Sequence, residues 1–332
     1  MAGFILHNIS NNTHKWPYSL ARGTPSKEYL LGDFRLAVTE TCNPAAARVY
    51  EFSDGVAWIE GTLLHKPERQ GFRRWLNDSD GSFRGAFYSR ETRCASVFTD
   101  PYGSRPVYYR EKGSECAASD KVASLVNAGA SVIDWNAILE AMALGTVVSQ
   151  ETSIEGIVQL PPGHIVALLG NGGTELIQYY ISNVDDDYSS TNSMFTDMRS
   201  LSRLMRHIVA DTWTDDRAVL FLSGGYDSRW MLNSAGQGKR TLTVAPGECR
   251  EQAISRRVAD SCKSAHNEFF TNEHKWPDMI RSSHLLTGAI YEPLKLLLNQ
   301  AAEDQVAKGV ADTFVLGLMY DTLRVMSSDS CG

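Results

Sequence analysis

An apolar run, Ala218-Val219-Leu220-Phe221-Leu222, leads directly into Ser223-Gly224-Gly225-Tyr226-Asp227-Ser228. The apolar run indicates a buried strand, and the two glycines after it indicate a tight turn that opens a helix. Glycines let backbone amides come close to an anion, serine hydroxyls can add hydrogen bonds, and the start of a helix carries partial positive charge. The pattern therefore predicts a phosphate site formed by Ser223, Gly224, Gly225 and Ser228. The structural alternative is an ordinary tight turn after a strand.

Strands alternate with helices on both sides of this turn. We expect a helix near Met194–Trp213, a strand at Thr241–Val244 and a further helix from Arg250 to Lys263. This alternation implies right-handed βαβ units and a parallel sheet, in which ligands bind beyond the carboxyl ends of the strands. The serine-glycine turn lies at that end. It differs from the GxxxxGK[ST] loop of common NTPases because no lysine follows the glycines.

The segment Ser223–Ser228 resembles the SGGxDS loop, or PP-loop, of the ATP pyrophosphatases. In that superfamily the loop holds the pyrophosphate that leaves when ATP is split between its α and β phosphates and the substrate is adenylated. The resemblance therefore implies ATP as a cofactor. It also implies that adenine lies near Leu222 and Val244.

A second segment, Asp312–Leu323, is another strand that leads into a glycine turn with an acidic residue. It resembles the VLSGxGxDELF element of the asparagine synthetases, of which it keeps Val315, Leu316, Gly317, Asp321 and Leu323. The resemblance implies that Gly317 lies on the phosphate side. It also implies that Asp227 and Asp321 are catalytic and together hold Mg²⁺, a hard cation that prefers oxygen ligands. The alternative for Asp321 is a solvated turn. Glu251 and Arg256 lie in the predicted helix that begins at Arg250, and the favoured interpretation of both is a solvated helix face.

The first half of the chain consists mainly of short β-like runs separated by turns. Helices are expected at Ser119–Asn127 and at Trp135–Leu144, the second with Asp134 as its N-cap. Proline and glycine in the segment Asp100–Ser104 predict a hairpin between the flanking strands. This half is therefore α+β with mainly antiparallel strands.

Several of these segments resemble the glutamine amidotransferase domain of class B asparagine synthetases. They are Asp80–Phe87, Thr99–Tyr109, Ala118–Lys121 and Leu160–His164. The resemblance implies an Ntn-hydrolase-like fold of stacked antiparallel sheets with helices. It also implies a cysteine nucleophile at position 2, where this sequence has Ala2, so glutaminase activity is expected to be absent. Ile59–Leu63 replaces the glutamine-clamping segment, and Asp100 aligns with the aspartate that binds the substrate ammonium, with a role in the proline turn as its alternative.

These observations predict a degenerate amidotransferase-like domain at 1–184, a polar linker at 185–193 and a PP-loop ATP-binding domain at 194–332. The predicted second domain is α/β with a parallel sheet. The family's synthetase domain continues with a long helical portion that has no counterpart here. The second domain is therefore expected to be incomplete at its C-terminus, and a complementing protein is an expected partner.

The composition limits the classes of partner. The chain has 332 residues and a formal net charge of -7, so no overall positive field attracts nucleic acid, and no apolar stretch is long enough to span a membrane. Its six cysteines are scattered, which favours reduced thiols and a cytoplasmic location over a disulfide framework or a zinc site.

Two functions fit the sequence. The first is an ATP-dependent amide-forming ligase that adenylates a small-molecule or peptide carboxylate, as in β-lactam synthetases, lasso-peptide cyclases or ammonia-dependent asparagine synthesis. The second is a non-catalytic fragment that acts as a nucleotide-binding or regulatory module.

Overall fold

The computed structural model describes residues 3–8, 27–39, 47–67, 70–126, 131–145, 147–181, 191–213, 216–278, 296–311 and 313–317. The described residues up to Ile181 form one unit, and those from Thr191 onward form a second. The last residues of the predicted linker, from Thr191, already belong to a helix. In the described part of the chain, no helix is both long and apolar enough to cross a lipid bilayer.

The first unit contains two six-stranded antiparallel sheets. Its strands are β1 (Gly3–Asn8), β2 (Lys27–Leu31), β3 (Phe34–Thr39), β4 (Ala47–Glu51), β5 (Gly55–Leu63), β6 (Gly81–Ser89), β7 (Ala95–Thr99), β8 (Tyr108–Lys112), β9 (Glu115–Ser119), β10 (Ile157–Gln159), β11 (His164–Leu168) and β12 (Thr174–Gln178). The strand order is β10-β8-β9-β1-β3-β2 in the first sheet and β12-β11-β7-β6-β5-β4 in the second.

Successive side chains along each strand point to opposite faces of its sheet. One hydrophobic core therefore lies between the two sheets, and a further core lies on the outer face of each sheet. From β1, Phe4 points inward and packs with Trp58 of the second sheet, with ring centroids 5.4 Å apart. Its neighbour Ile5 points outward and packs beside the short helix α2 (Val122–Leu125). Helix α1 (Phe72–Asp78) covers the outer face of the second sheet, where Phe72 stacks on Phe87 at 3.9 Å. The two sheets are therefore stacked, with a helix on each outer face.

The expected hairpin at Asp100–Ser104 is wrong. The strands on either side of this turn belong to different sheets, because β7 pairs with β6 and β11 whereas β8 pairs with β9 and β10. The turn residues therefore carry the chain from one sheet to the other. Local turn chemistry predicted the reversal, but it does not determine which strands pair.

One predicted helix is confirmed and the other is shorter than expected. Helix α3 spans Trp135–Leu144, and the Asp134 carboxylate accepts hydrogen bonds from the amides of Asn136 and Ala137. The expected helix at Ser119–Asn127 begins only at Val122, because Ser119 still belongs to β9 and its hydroxyl donates to the carbonyl of Phe4. A hydrogen bond across the sheet therefore overrides the local helical pattern.

The second unit contains a four-stranded parallel sheet with helices. Its elements are α4 (Thr191–Thr212), β13 (Ala218–Phe221), α5 (Tyr226–Ala235), β14 (Arg240–Ala245), α6 (Arg250–Ser261), β15 (Ala265–Phe270), α7 (Leu296–Ala307) and β16 (Thr313–Val315). The strand order is β15-β14-β13-β16, and all the pairings are parallel. The βαβ alternation predicted from the sequence is confirmed for these elements.

Both faces of this sheet are covered. On one face, Leu220 of β13 packs with Leu232 of α5 and Ala259 of α6. On the other, Val219 packs with Ala301 of α7. Burial on both faces explains why β13 is an unbroken apolar run and not an alternating one.

Candidate phosphate site

The strand order changes direction at β13. The strands that follow β13 in the chain, β14 and β15, are added on one side of it, and β16 then pairs on its other side. In open parallel sheets such a switch point leaves a crevice at the carboxyl ends of the strands. The turn Ser223–Gly225 lies at that end, between β13 and the start of α5.

Two serines hold this turn closed. The amide of Ser223 donates to the Ser228 hydroxyl at 3.0 Å, and that hydroxyl donates to the carbonyl of Ser223 at 3.1 Å. The two hydroxyl oxygens are 2.9 Å apart. Because the Ser228 hydroxyl donates its hydrogen to the Ser223 carbonyl, the Ser223 hydroxyl is the donor in this contact. The amide of Gly225 donates to the Ser223 hydroxyl at 3.2 Å. We call Ser223–Ser228 the serine-glycine loop.

A carboxylate already contacts this loop. The amide of Gly224 donates to Oε1 of Glu251, in the first turn of α6, at 3.2 Å. A Cβ at position 224 would lie 3.3 Å from Cγ of Glu251, so a larger residue would have little room. The loop amide thus binds an oxygen anion within the structure itself, which is the behaviour expected of a phosphate-binding turn. The Glu251 side chain is exposed, as expected for a solvated helix face, and it also contacts this loop.

The end of β16 comes close to the start of α5. A Cβ on Gly317 would lie 2.8 Å from the amide nitrogen of Ser228 and 3.0 Å from the carbonyl carbon of Asp227, so only glycine fits there. Asp227 lies in the first turn of α5. Asp321, its predicted partner, lies outside the described residues. Within the described ranges, no group of three or more His, Cys, Asp or Glu could hold a metal ion.

The carboxyl end of β13 is anchored by two hydroxyls that sequence reasoning missed. The carbonyl of Leu222 accepts hydrogen bonds from Thr243 at 2.7 Å and from Ser255 at 3.2 Å, and its amide donates to Leu242 at 2.9 Å. Both hydroxyl residues are buried. The sequence offers little signal for this contact, because β14 contains a second threonine and α6 is mostly polar. Val244 is half-buried two residues beyond Leu242 on β14.

In the first unit, three charged side chains are buried together. Nε of Arg84 donates to Glu60 at 2.9 Å, and another guanidinium nitrogen donates to Asp120 at 3.0 Å. Asp120 also accepts the amide of Phe4 at 2.9 Å, which ties the start of β1 to this cluster. Burial raises the pKa of Asp120, and the Arg84 charge opposes that shift. Glu60 belongs to the segment that replaces the glutamine clamp. Its carboxylate already accepts a hydrogen bond from Arg84.

Asp100 performs the turn role. Its carboxylate is fully buried and accepts hydrogen bonds from the amides of Phe83, Tyr102 and Ser104 and from the Ser104 hydroxyl. These contacts fix the segment that connects the two sheets. The substrate-binding alternative would need a carboxylate oxygen that is free of such contacts.

A sequence profile described as a glutamine amidotransferase domain matches residues 60–180. No curated protein matches the chain. Among solved structures, the chain is similar to the glutamine phosphoribosylpyrophosphate amidotransferase from B. subtilis complexed with ADP and GMP, with 8% identity and a TM-score of 0.27. That match covers 71% of this chain but only 51% of the B. subtilis chain.

A structure described as the allosteric regulatory enzyme of purine biosynthesis is similar at 9% identity and a TM-score of 0.29, with 71% of this chain and 67% of that chain covered. The profile match lies within the unit that has two stacked antiparallel sheets. Residues 60–180 of the first unit are therefore similar to a glutamine amidotransferase domain, and they lie in a fold of two stacked antiparallel sheets.

Proposed function

We propose that the second unit binds ATP through the serine-glycine loop and serves an AMP-forming carbon-nitrogen ligase. The observation that supports this most directly is the Gly224 amide bound to a carboxylate oxygen at the carboxyl end of β13. A turn that binds one oxygen anion at a helix start has the chemistry to bind another. The SGGxDS pattern, without a lysine after its glycines, favours pyrophosphate as the group held.

The residues present fit a nucleotide phosphate chain. The amides of Gly224 and Gly225 and the Ser223 hydroxyl would exchange their contacts within the turn for the β and γ phosphate oxygens, and the buried Ser228 hydroxyl would hold the turn in shape. Leu222 and Val244 would border the adenine, and Gly317 would let the end of β16 lie close to the start of α5 on the phosphate side. Each of these roles follows from the resemblance to the PP-loop superfamily and from the position of the residue around the carboxyl ends of β13, β14 and β16.

The described residues include one of the two proposed metal ligands. Asp227 supplies a carboxylate in the first turn of α5, and oxygen is the ligand that Mg²⁺ prefers. Asp227 and Asp321 would hold the ion. When bound, Mg²⁺ screens the negative charge of the phosphates.

The chain's own residues would act by positioning. Amides and hydroxyls that bind the β and γ phosphates leave the α phosphorus open to a carboxylate from a small molecule or a peptide. The carboxylate oxygen would bond to the α phosphorus as the bond to the bridging oxygen breaks, which gives an acyl-adenylate and releases pyrophosphate. An amine would then attack the acyl-adenylate, and AMP would leave. Because Ala2 replaces the family's nucleophile, the amine would come from ammonia or from the substrate itself, as in lasso-peptide cyclases and β-lactam synthetases.

The test is exchange of radiolabelled pyrophosphate into ATP by the full chain, with a series of carboxylic acids. Exchange that depends on one carboxylic acid, together with formation of AMP, is the expected result. Steady formation of ADP would contradict adenylation.

A nucleotide-binding or regulatory module is the second candidate. Its supporting observation is that the Gly224 amide and both loop serines have hydrogen-bond partners inside the unit, so these contacts alone account for the shape of the turn. ATP binding without exchange under any of these conditions would favour the module.

A further inference from the structure

The start of α6 holds Glu251 against the serine-glycine loop. The buried Gln252 side chain accepts the amide of Cys249 at 3.1 Å, and the two form the cap of this helix. Because Gln252 and Cys249 provide the cap, the Glu251 carboxylate is available to the neighbouring turn. The capped start of α6 therefore places the Glu251 carboxylate beside the loop.

The fit between the two is close. Oε1 of Glu251 accepts the Gly224 amide at 3.2 Å, and the Cβ position on Gly224 would be 3.3 Å from Cγ and 3.5 Å from Cα of Glu251. An amide has one hydrogen, and this one is directed at the carboxylate. A phosphate oxygen that approached the same hydrogen would meet a negative charge at hydrogen-bonding distance.

We propose that Glu251 is an anionic latch, which occupies the phosphate position at the Gly224 amide and is displaced when phosphate binds. This inference rests on the proposed function. The latch keeps the loop closed in the free protein and lowers its affinity for any phosphate ligand. Displacement is feasible because the Glu251 side chain is exposed and water can solvate the released carboxylate.

The experiment measures the affinity of the full chain for pyrophosphate, in the presence of Mg²⁺, by calorimetry. Glu251→Gln keeps the shape of the side chain and removes its charge. We expect this variant to bind pyrophosphate about two- to fivefold more tightly, which is the upper part of the range for one exposed charge interaction. The matched control is Glu248→Gln, which removes the same charge from an exposed residue in the turn before the same helix. It should change the affinity less than about twofold.

A second measurement follows the contact itself. Ser223–Gly224 is the only Ser-Gly pair in the sequence, so carbonyl-¹³C serine and ¹⁵N glycine labelling yields a single amide signal in a carbonyl-correlated spectrum. Glu251→Gln should shift this signal in the free protein, because a hydrogen bond to a charged oxygen becomes one to a neutral oxygen. Glu248→Gln should leave it in place.

The outcomes separate the latch from the proposed function. Weaker or unchanged pyrophosphate binding by Glu251→Gln, in a protein that does bind pyrophosphate, overturns the latch and leaves the phosphate site intact. An unchanged Gly224 signal also overturns it. If neither the unmodified chain nor Glu251→Gln binds pyrophosphate, both the latch and the proposed phosphate site are wrong.

Discussion

Ser228 closes the turn after β13 onto Ser223 through both backbone groups of that residue. Its hydroxyl accepts the Ser223 amide at 3.0 Å and donates to the Ser223 carbonyl at 3.1 Å. The side chain is 3% exposed, so water cannot replace it readily. One buried hydroxyl thus sets the geometry of the whole loop.

Ser228→Ala should lower the free energy of unfolding of the second unit by about 1–3 kcal/mol, because it leaves two backbone groups without their partner. Chemical denaturation of the full chain measures this change. The control is Ser234→Ala on the same helix, since the Ser234 hydroxyl has no hydrogen-bond partner among the described residues. Equal effects of the two substitutions would contradict the role assigned to Ser228.

Asp227→Asn should weaken MgATP binding by about tenfold or more, with little effect on metal-free nucleotide, because its proposed role is to hold Mg²⁺. Calorimetry with and without Mg²⁺ measures both affinities. The control is Asp260→Asn, which makes an equal charge change at an exposed residue of α6 and should leave both affinities unchanged. An equal loss for MgATP and metal-free nucleotide would argue against a metal ligand at this position.

Sequence reasoning succeeded where the signal was local. The apolar run before Ser223, the glycines and the following helix are contiguous, so the sequence pattern alone predicts their strand-turn-helix order, which the structure confirms. Asp134 was predicted as a cap for the same reason.

It failed where distant segments meet. The contact between Glu251 and Gly224 joins residues that are 27 positions apart, and a helix pattern alone does not predict it. The buried cluster of Glu60, Arg84 and Asp120 also depends on how the two sheets stack, which no local period contains. Asp321 stays a prediction.

Ala2→Cys should not produce glutaminase activity. Ala2 lies outside the described residues, but Glu60 in the segment aligned with the glutamine clamp is bound by Arg84 at 2.9 Å, so a nucleophile alone would lack a substrate site. Glutamate release from glutamine measures this, with mass spectrometry to show that the new cysteine is N-terminal. Glutamate release that a thiol reagent abolishes would contradict the prediction.

The stability of the second unit should fall as the pH drops below about 6.5, partly through His266. Its Nδ1 lies 2.8 Å from the Thr241 hydroxyl, and burial lowers its pKa below the ordinary 6.5, with Arg256 in the same direction and Glu268 opposing. The unfolded chain therefore takes up the proton first. The stabilising effect is complete above pH 6.5 and is lost as the pH falls toward the folded pKa.

His266→Asn should reduce this acid sensitivity. Denaturation at a series of pH values between about 5 and 8 compares the variant with the unmodified chain, whose other histidines are unchanged. Identical pH profiles would show that His266 does not contribute.

The most direct test of the phosphate site is MgATP binding by the full chain and by two glycine variants. In Gly225→Ala the new Cβ would lie 3.2 Å from the Ser223 hydroxyl, whereas in Gly247→Ala it meets nothing within 4 Å. We expect the unmodified chain and Gly247→Ala to bind MgATP equally, and Gly225→Ala to bind it about tenfold more weakly because the loop can no longer close on Ser223. Absence of binding by the unmodified chain at millimolar MgATP, or equal binding by all three proteins, would contradict the assignment of the serine-glycine loop as the phosphate site.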